Sequence, residues 1–206
     1  MARRSSGQRA VLDNADILIV PGRGGSSYDH WQSHFEREHD NARRVQQSGW
    51  ETPELDAWAE RIASASRASE GQVLAIAHSF GCLAAVHAIL AIDAPIDALM
   101  LVAPVDPDRF GIAWEHYAHN LRVPSVLVTS MNDPWLRAAR AVKLAATWGS
   151  DYVNLGNSGH INLASGYGHW KDCARLAASL LRKSALHSPL LGQPRERIRR
   201  TVYAAL

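Results

Sequence analysis

Short apolar runs alternate with longer helical patterns along this chain of 206 residues. The first run, Ile17–Val20, ends in the turn-forming "PGRGGSS". "DHWQSHFEREH" then spaces Trp31 and Phe35 four apart, the repeat of a helix with one buried face. A short strand is expected at Ala42–Gln47. "TPELDAWAERIASASRAS" reads as a helix with Thr52 as N-cap and Pro53 in the first helical position, where a missing N–H breaks no bond. Val73–Ala77 is a strongly apolar strand, and Phe80–Ile92 a helix. Further strands are predicted at Ala98–Ala103, Ser125–Thr129 and Tyr152–Leu155, and helices at Pro134–Trp148 and Trp170–Leu181. An aromatic-bearing connection runs from Pro104 to Arg122.

Strands that are apolar throughout, rather than at every second position, are buried on both faces. Each is followed by a helix, which implies a mostly parallel sheet covered on both sides. Right-handed crossovers then favour a doubly wound α/β sandwich of about six strands. No repeat or linker divides the body, so residues 1–183 read as one domain. Residues 184–206, with Pro189, Gly192, Pro194 and four arginines, read as a basic C-terminal extension.

Composition narrows the classes. The chain is 47% apolar and 20% charged, ordinary for a soluble domain with a sizeable core. No apolar run approaches the roughly 20 residues that span a bilayer, so no membrane partner is expected. The basic start "MARRSSGQRAVLDNAD" has no apolar stretch behind it and does not read as a secretory signal. Cys82 and Cys173 lie in apolar, helix-like segments, which suits buried thiols in a reducing cytoplasm better than a disulfide framework or a metal site. The net charge of +2 is unevenly spread: six Lys/Arg and one Glu from Arg182 onward make a tail of +5 on a body of about −3. A nucleic-acid reading would rest on that tail alone, and none is adopted. A protein partner is left unassigned.

In sheets of this kind, sites lie beyond the carboxyl ends of the strands. Ser79 follows the third predicted strand, Asp133 the fifth and His160 the sixth. That is the chain order of nucleophile, acid and base in an α/β-hydrolase triad. A nucleophile elbow needs small residues two before and two after the serine, because the turn brings both close to neighbouring backbone. Here they are Ala77 and Gly81, so the G-x-S-x-G pattern departs at its first position by one methyl. His30, after the first strand's loop, is the rival base; Asp106 and Asp108, after the fourth strand, are rival acids. Asp133 before Pro134 also reads as a plain helix N-cap. The oxyanion donors are expected to be the Phe80 N–H and an N–H of Arg23 or Gly24 in the "PGRGGSS" loop. That loop lacks the G-x-x-x-x-G-K-[ST] pattern of a phosphate cradle. Tyr28, His30 and Trp135 are the candidate substrate-pocket residues.

"LIVPGRGGSSYDHWQSHFE", "RVQQSGWETPELDAW", "AHSFGCLAAVH", "SMNDPW" and "GHINLASGYGHW" together resemble the retinoblastoma-binding-protein-9-like small serine hydrolases. The similarity spans about residues 16–182. It implies a compact α/β hydrolase without a large cap domain, with Ser79 as nucleophile, Asp133 as acid and His160 as base. The L-x-C-x-E motif for pocket-protein binding does not occur in this chain, so that partnership is not implied. The expected activity is cleavage of small ester or amide substrates through an acyl-enzyme, with no metal or organic cofactor. The competing class is a non-catalytic binding module on the same fold, since fold does not guarantee activity.

Overall fold

The computed structural model describes residues 2–187 and contains six strands: β1 (Ala15–Val20), β2 (Ala42–Arg44), β3 (Gln72–His78), β4 (Ala98–Val102), β5 (Ser125–Thr129) and β6 (Asp151–Asn154). They pair in parallel in the order β2-β1-β3-β4-β5-β6. The helices are α1 (Ala2–Asp13), α2 (Trp31–Glu38), α3 (Leu55–Arg67), α4 (Phe80–Ile92), α5 (Ala138–Trp148) and α6 (Asp172–His187).

The period-2 geometry of a strand sends successive side chains to opposite faces, so an apolar run feeds two cores at once. On one face Leu18, Val20, Val73, Ala75, Leu99 and Leu101 pack with Trp58 of α3, Leu83 of α4 and Leu144 and Trp148 of α5. On the other, Ile17, Ile19, Leu74, Ile76 and Met100 pack with Leu12 of α1, Trp31 and Phe35 of α2, and Cys173 and Leu181 of α6. This is the doubly wound sandwich expected from the strand pattern, and no cap domain stands over it among the described residues. The long connection from β4 to β5 makes only two 3₁₀ turns, Pro107–Phe110 and Trp114–Tyr117.

The chain leaves β1 to build β2 on one side, then returns past β1 to place β3 on the other. After β1 it enters α2 on one face, and after β3 it enters α4 on the opposite face. A crevice therefore opens between the carboxyl ends of β1 and β3, where a doubly wound sheet binds its ligands.

Strand ends shift by up to three residues from the sequence reading, and four helices differ from it. Helix α1 was not expected; its described part offers Leu12 and little apolar periodicity, and it is held by docking against α6. Helix α3 starts at Leu55 with Glu54 at its cap, so Thr52 and Pro53 lie before the helix. Helix α5 starts at Ala138 rather than Pro134, leaving Asp133 free for another task. Helix α6 runs past Leu181 to His187, anchored by the buried Ser184, whose Oγ donates to Asp97 O at 2.8 Å. Position 183 thus falls inside a helix, and residues 188–206, the greater part of the basic extension, lie outside the described residues.

Candidate active site

Ser79 joins β3 to α4 with φ 56° and ψ −128°, a conformation that L-residues adopt at a cost of about 1–3 kcal/mol. The turn is compressed from below. A Cβ on Gly81 would collide with the carbonyl oxygens of Val20 and Pro21, so only glycine fits. Ala77 lies between Val20 and Leu101 in the register and is fully buried; its extra methyl is accommodated as core.

His160 stands over the serine. Its Nε2 is 2.9 Å from Ser79 Oγ, and its Nδ1 is 3.0 Å from both carboxylate oxygens of Asp133. The Asp133 side chain has no exposed surface, and Oδ1 also accepts the Trp135 N–H at 2.8 Å. The carboxylate therefore turns the loop before α5 and orients the imidazole, rather than capping the helix. Two polar staples join the loops that carry Asp133 and His160: Asn132 Oδ1 accepts the Gly159 N–H at 2.8 Å, and Ser130 Oγ donates to Gly159 O at 2.6 Å. Ser165 Oγ accepts the His160 N–H and itself donates to Asn162 Oδ1. His160 is thus fixed at its backbone as well as at its ring.

The rival residues are committed elsewhere. His30 is the N-cap of α2, its Nδ1 accepting the Gln32 N–H, and burial pushes its pKa down to about 4, with Arg44 and His160 adding to the effect. Asp106 and Asp108 pair with Arg140 at 3.5 and 3.0 Å. His78 Nε2 donates to His160 O at 3.0 Å. Burial above all, then the neighbouring His160 and His30, hold His78 well below the ordinary imidazole range. The rings of His30, His78 and His160 follow one another with centroids 5.0 Å apart at each step.

Among the described residues, the Phe80 and Arg23 N–H groups have no acceptor and remain available at the crevice. The Gly24 N–H does not: it donates to Trp50 O at 3.1 Å, which corrects the expectation that either loop residue could serve. Gln32, fully buried, donates to both Val20 O and Ile76 O and accepts from Ser26 Oγ, tying the "PGRGGSS" loop to the ends of β1 and β3. Arg44 donates to Gly25 O and Ser26 O from the other side. Neither brace stands out in the sequence, because each is a polar residue in an otherwise ordinary element. Gly22 was also missed. A Cβ there would lie 2.5 Å from Ser79 Cβ and 3.1 Å from Ser79 Oγ, so this glycine lets the loop approach the serine.

A cleft of about 370 Å³ opens above Ser79 and His160, walled by Phe80, Val105, Phe110 and Trp135, with Asn162 at its side and Arg23 and Glu51 on its rim. Val105, Phe110 and Asn162 were not singled out in the sequence; they lie far apart along the chain and meet only here. A smaller recess of about 210 Å³ runs beside it past His30 and His78 to Leu163. Tyr28 lines neither. It is 73% exposed, with the Arg37 guanidinium 4.0 Å from its ring, so its assignment to the pocket is corrected. Among the described residues, no group of three or more His, Cys, Asp and Glu side chains could hold a metal ion, and no helix is long and apolar enough to cross a membrane. Cys82 and Cys173 are buried and unpaired, and burial pushes both thiols up.

Comparison with known proteins finds both a family and structural neighbours. A structure described as a YdeN-like hydrolase from Pectobacterium atrosepticum is 34% identical, with TM-score 0.83, over 88% of this chain and 98% of its own. The ydeN gene product of Bacillus subtilis matches at 15% identity and TM-score 0.63 over 81% of this chain and 98% of its own. Est1E of Butyrivibrio proteoclasticus, with ferulic acid bound, matches at 14% and TM-score 0.59 over 82% and 87%. The last two likenesses speak for the fold alone. A search of curated proteins gives no match to this chain. The family model for serine hydrolases matches residues 17–179, a span that begins in β1, contains Ser79, Asp133 and His160, and ends in α6. By that match this chain belongs to the serine hydrolase family.

Proposed function

We propose that this hydrolase cleaves small ester or amide substrates through an acyl-enzyme, with Ser79 as nucleophile, His160 as base and Asp133 as its orienting acid. The observation that carries the reading is the unbroken hydrogen-bonded chain from Asp133 through His160 to Ser79 at the floor of an open cleft. Ser79 Oγ attacks the carbonyl carbon while His160 Nε2 takes its proton, and the imidazolium is stabilised by the shielded carboxylate. The Phe80 and Arg23 N–H groups receive the oxyanion. His160 returns the proton to the departing alcohol or amine as the carbonyl–heteroatom bond breaks. Water, deprotonated by His160, then releases the acyl group and restores Ser79. The limited, partly apolar cleft supports small substrates. The five segments quoted above support a finer placement near the retinoblastoma-binding-protein-9-like branch. The two unpaired, buried cysteines support a cytoplasmic setting.

A fluorophosphonate probe tests the reading directly. Stoichiometric labelling that maps to Ser79 and is blocked by prior acylation is expected; a folded protein that takes up no probe would favour the binding-module alternative.

The loop approach at Gly22 makes a second expectation. Gly22→Ala places a methyl against Ser79 Cβ and Oγ, so either the serine or the loop must shift. Displacing reacting groups by about 1 Å typically removes on the order of 10² in rate. The turnover number for 4-nitrophenyl acetate should fall by about that factor with the circular-dichroism spectrum unchanged, and wild-type turnover would show that the loop does not shape the site.

A further inference from the structure

Trp135 belongs to two clefts. It lines the cleft over Ser79 and also a second cleft of about 490 Å³, whose other lining residues come from the Pro107–Phe110 turn with Asp106 and from the start of α5 with Arg137. The side chains lining this second cleft include four cations, Arg109, Arg137, Arg140 and Lys143, against two acids, Asp106 and Asp108. Both acids are taken up by Arg140, at 3.5 and 3.0 Å. Among the described residues Arg109, Arg137 and Lys143 have no acidic partner; Arg109 lies 5.4 Å from the Trp135 ring and Lys143 4.7 Å from the Trp114 ring. Three cations with no acidic partner of their own, two of them over aromatic rings, leave this cleft with an excess of positive charge. An anion is the ligand that such a cleft favours, and Trp135 lines both it and the cleft over Ser79.

We infer that the cleft beyond Trp135 is a subsite for an anionic group of the substrate, so that the preferred esters carry a carboxylate at the end of a short chain. This inference rests on the hydrolase reading above. The cleft's position fits a substrate whose carbonyl sits over Ser79 while its charged end passes Trp135 toward Arg109 and Arg137. The attraction is that of exposed or half-exposed charges, worth a few-fold in affinity per pair and screened by salt.

The test compares 4-nitrophenyl acetate and its neutral longer homologues with the 4-nitrophenyl monoesters of succinic, glutaric, adipic and suberic acids. The readout is the ratio of kcat/KM for each carboxylated ester to that of the neutral ester of equal length. A ratio of about ten is expected at the chain length that reaches the cleft, falling toward one in 0.5 M NaCl and in Arg109→Gln/Arg137→Gln. A ratio near one at every length, or a high ratio that survives both substitutions, would overturn the inference. Calorimetric titration of the free dicarboxylic acids reads the subsite without turnover. Binding weakened at least fivefold in the double variant supports it even if no ester is cleaved, while equal binding or none in both proteins rejects it. Absence of both turnover and fluorophosphonate labelling would instead reject the hydrolase reading.

Discussion

Ser79→Ala should reduce turnover of an activated ester by on the order of 10⁶, to the uncatalysed background, while leaving the fold intact. The size of the loss follows from what is removed. The oxygen that would form the acyl bond is the atom 2.9 Å from His160 Nε2, and among the described residues no other hydroxyl is hydrogen-bonded to that nitrogen. Alanine keeps the Cβ and the strained turn at φ 56°, so the elbow, Gly81 and the Phe80 N–H should stay where they are. Steady-state assay of 4-nitrophenyl acetate beside a thermal melt checks this. Activity within tenfold of wild type, with the melt unchanged, would remove Ser79 from the mechanism.

Asp133→Asn should cost roughly 10⁴ in kcat with little change in stability. The side-chain oxygen can still accept the Trp135 N–H, so the loop before α5 is retained. The amide nitrogen, however, can donate to His160 Nδ1, which favours the tautomer protonated on Nε2. That tautomer cannot accept the Ser79 proton. The same assay read across pH separates this from a plain structural defect: the variant should regain rate as hydroxide begins to replace the missing base, whereas a misfolded site would not. A loss below tenfold would mean that the buried carboxylate orients nothing.

The strand pattern carried most of the architecture. Apolar runs at Ile17–Val20, Val73–Ala77 and Ser125–Thr129 lie within or match strands of the structure, because a strand buried on both faces has no polar position to disguise it. Boundaries governed by local polar bonds were less legible. Thr52 and Pro53 look like a helix start, yet the helix begins at Leu55; Pro134 looks like another, yet the Asp133 carboxylate turns the chain first. Helix α1 carries little periodic signal, and most of its contacts are with α6, at the far end of the chain.

From residue types and order alone came the serine between small neighbours after an apolar strand, the aspartate and histidine after later strands, and hence the chemistry to look for. Local sequence suffices there because an elbow is a short-range device whose steric demands fall on positions two residues away. Chain order and the resemblance already favour His160 and Asp133; the tertiary structure alone shows which of the alternative groups are bonded elsewhere. Those are His30, to the start of α2, Asp106 and Asp108, to Arg140, and Gly24, to Trp50. The tertiary structure alone also placed Gly22 against Ser79 and put Trp135 in the lining of two clefts. A hydrogen bond or a close approach between residues tens of positions apart leaves no periodic trace in the chain, so only the folded arrangement can assign it.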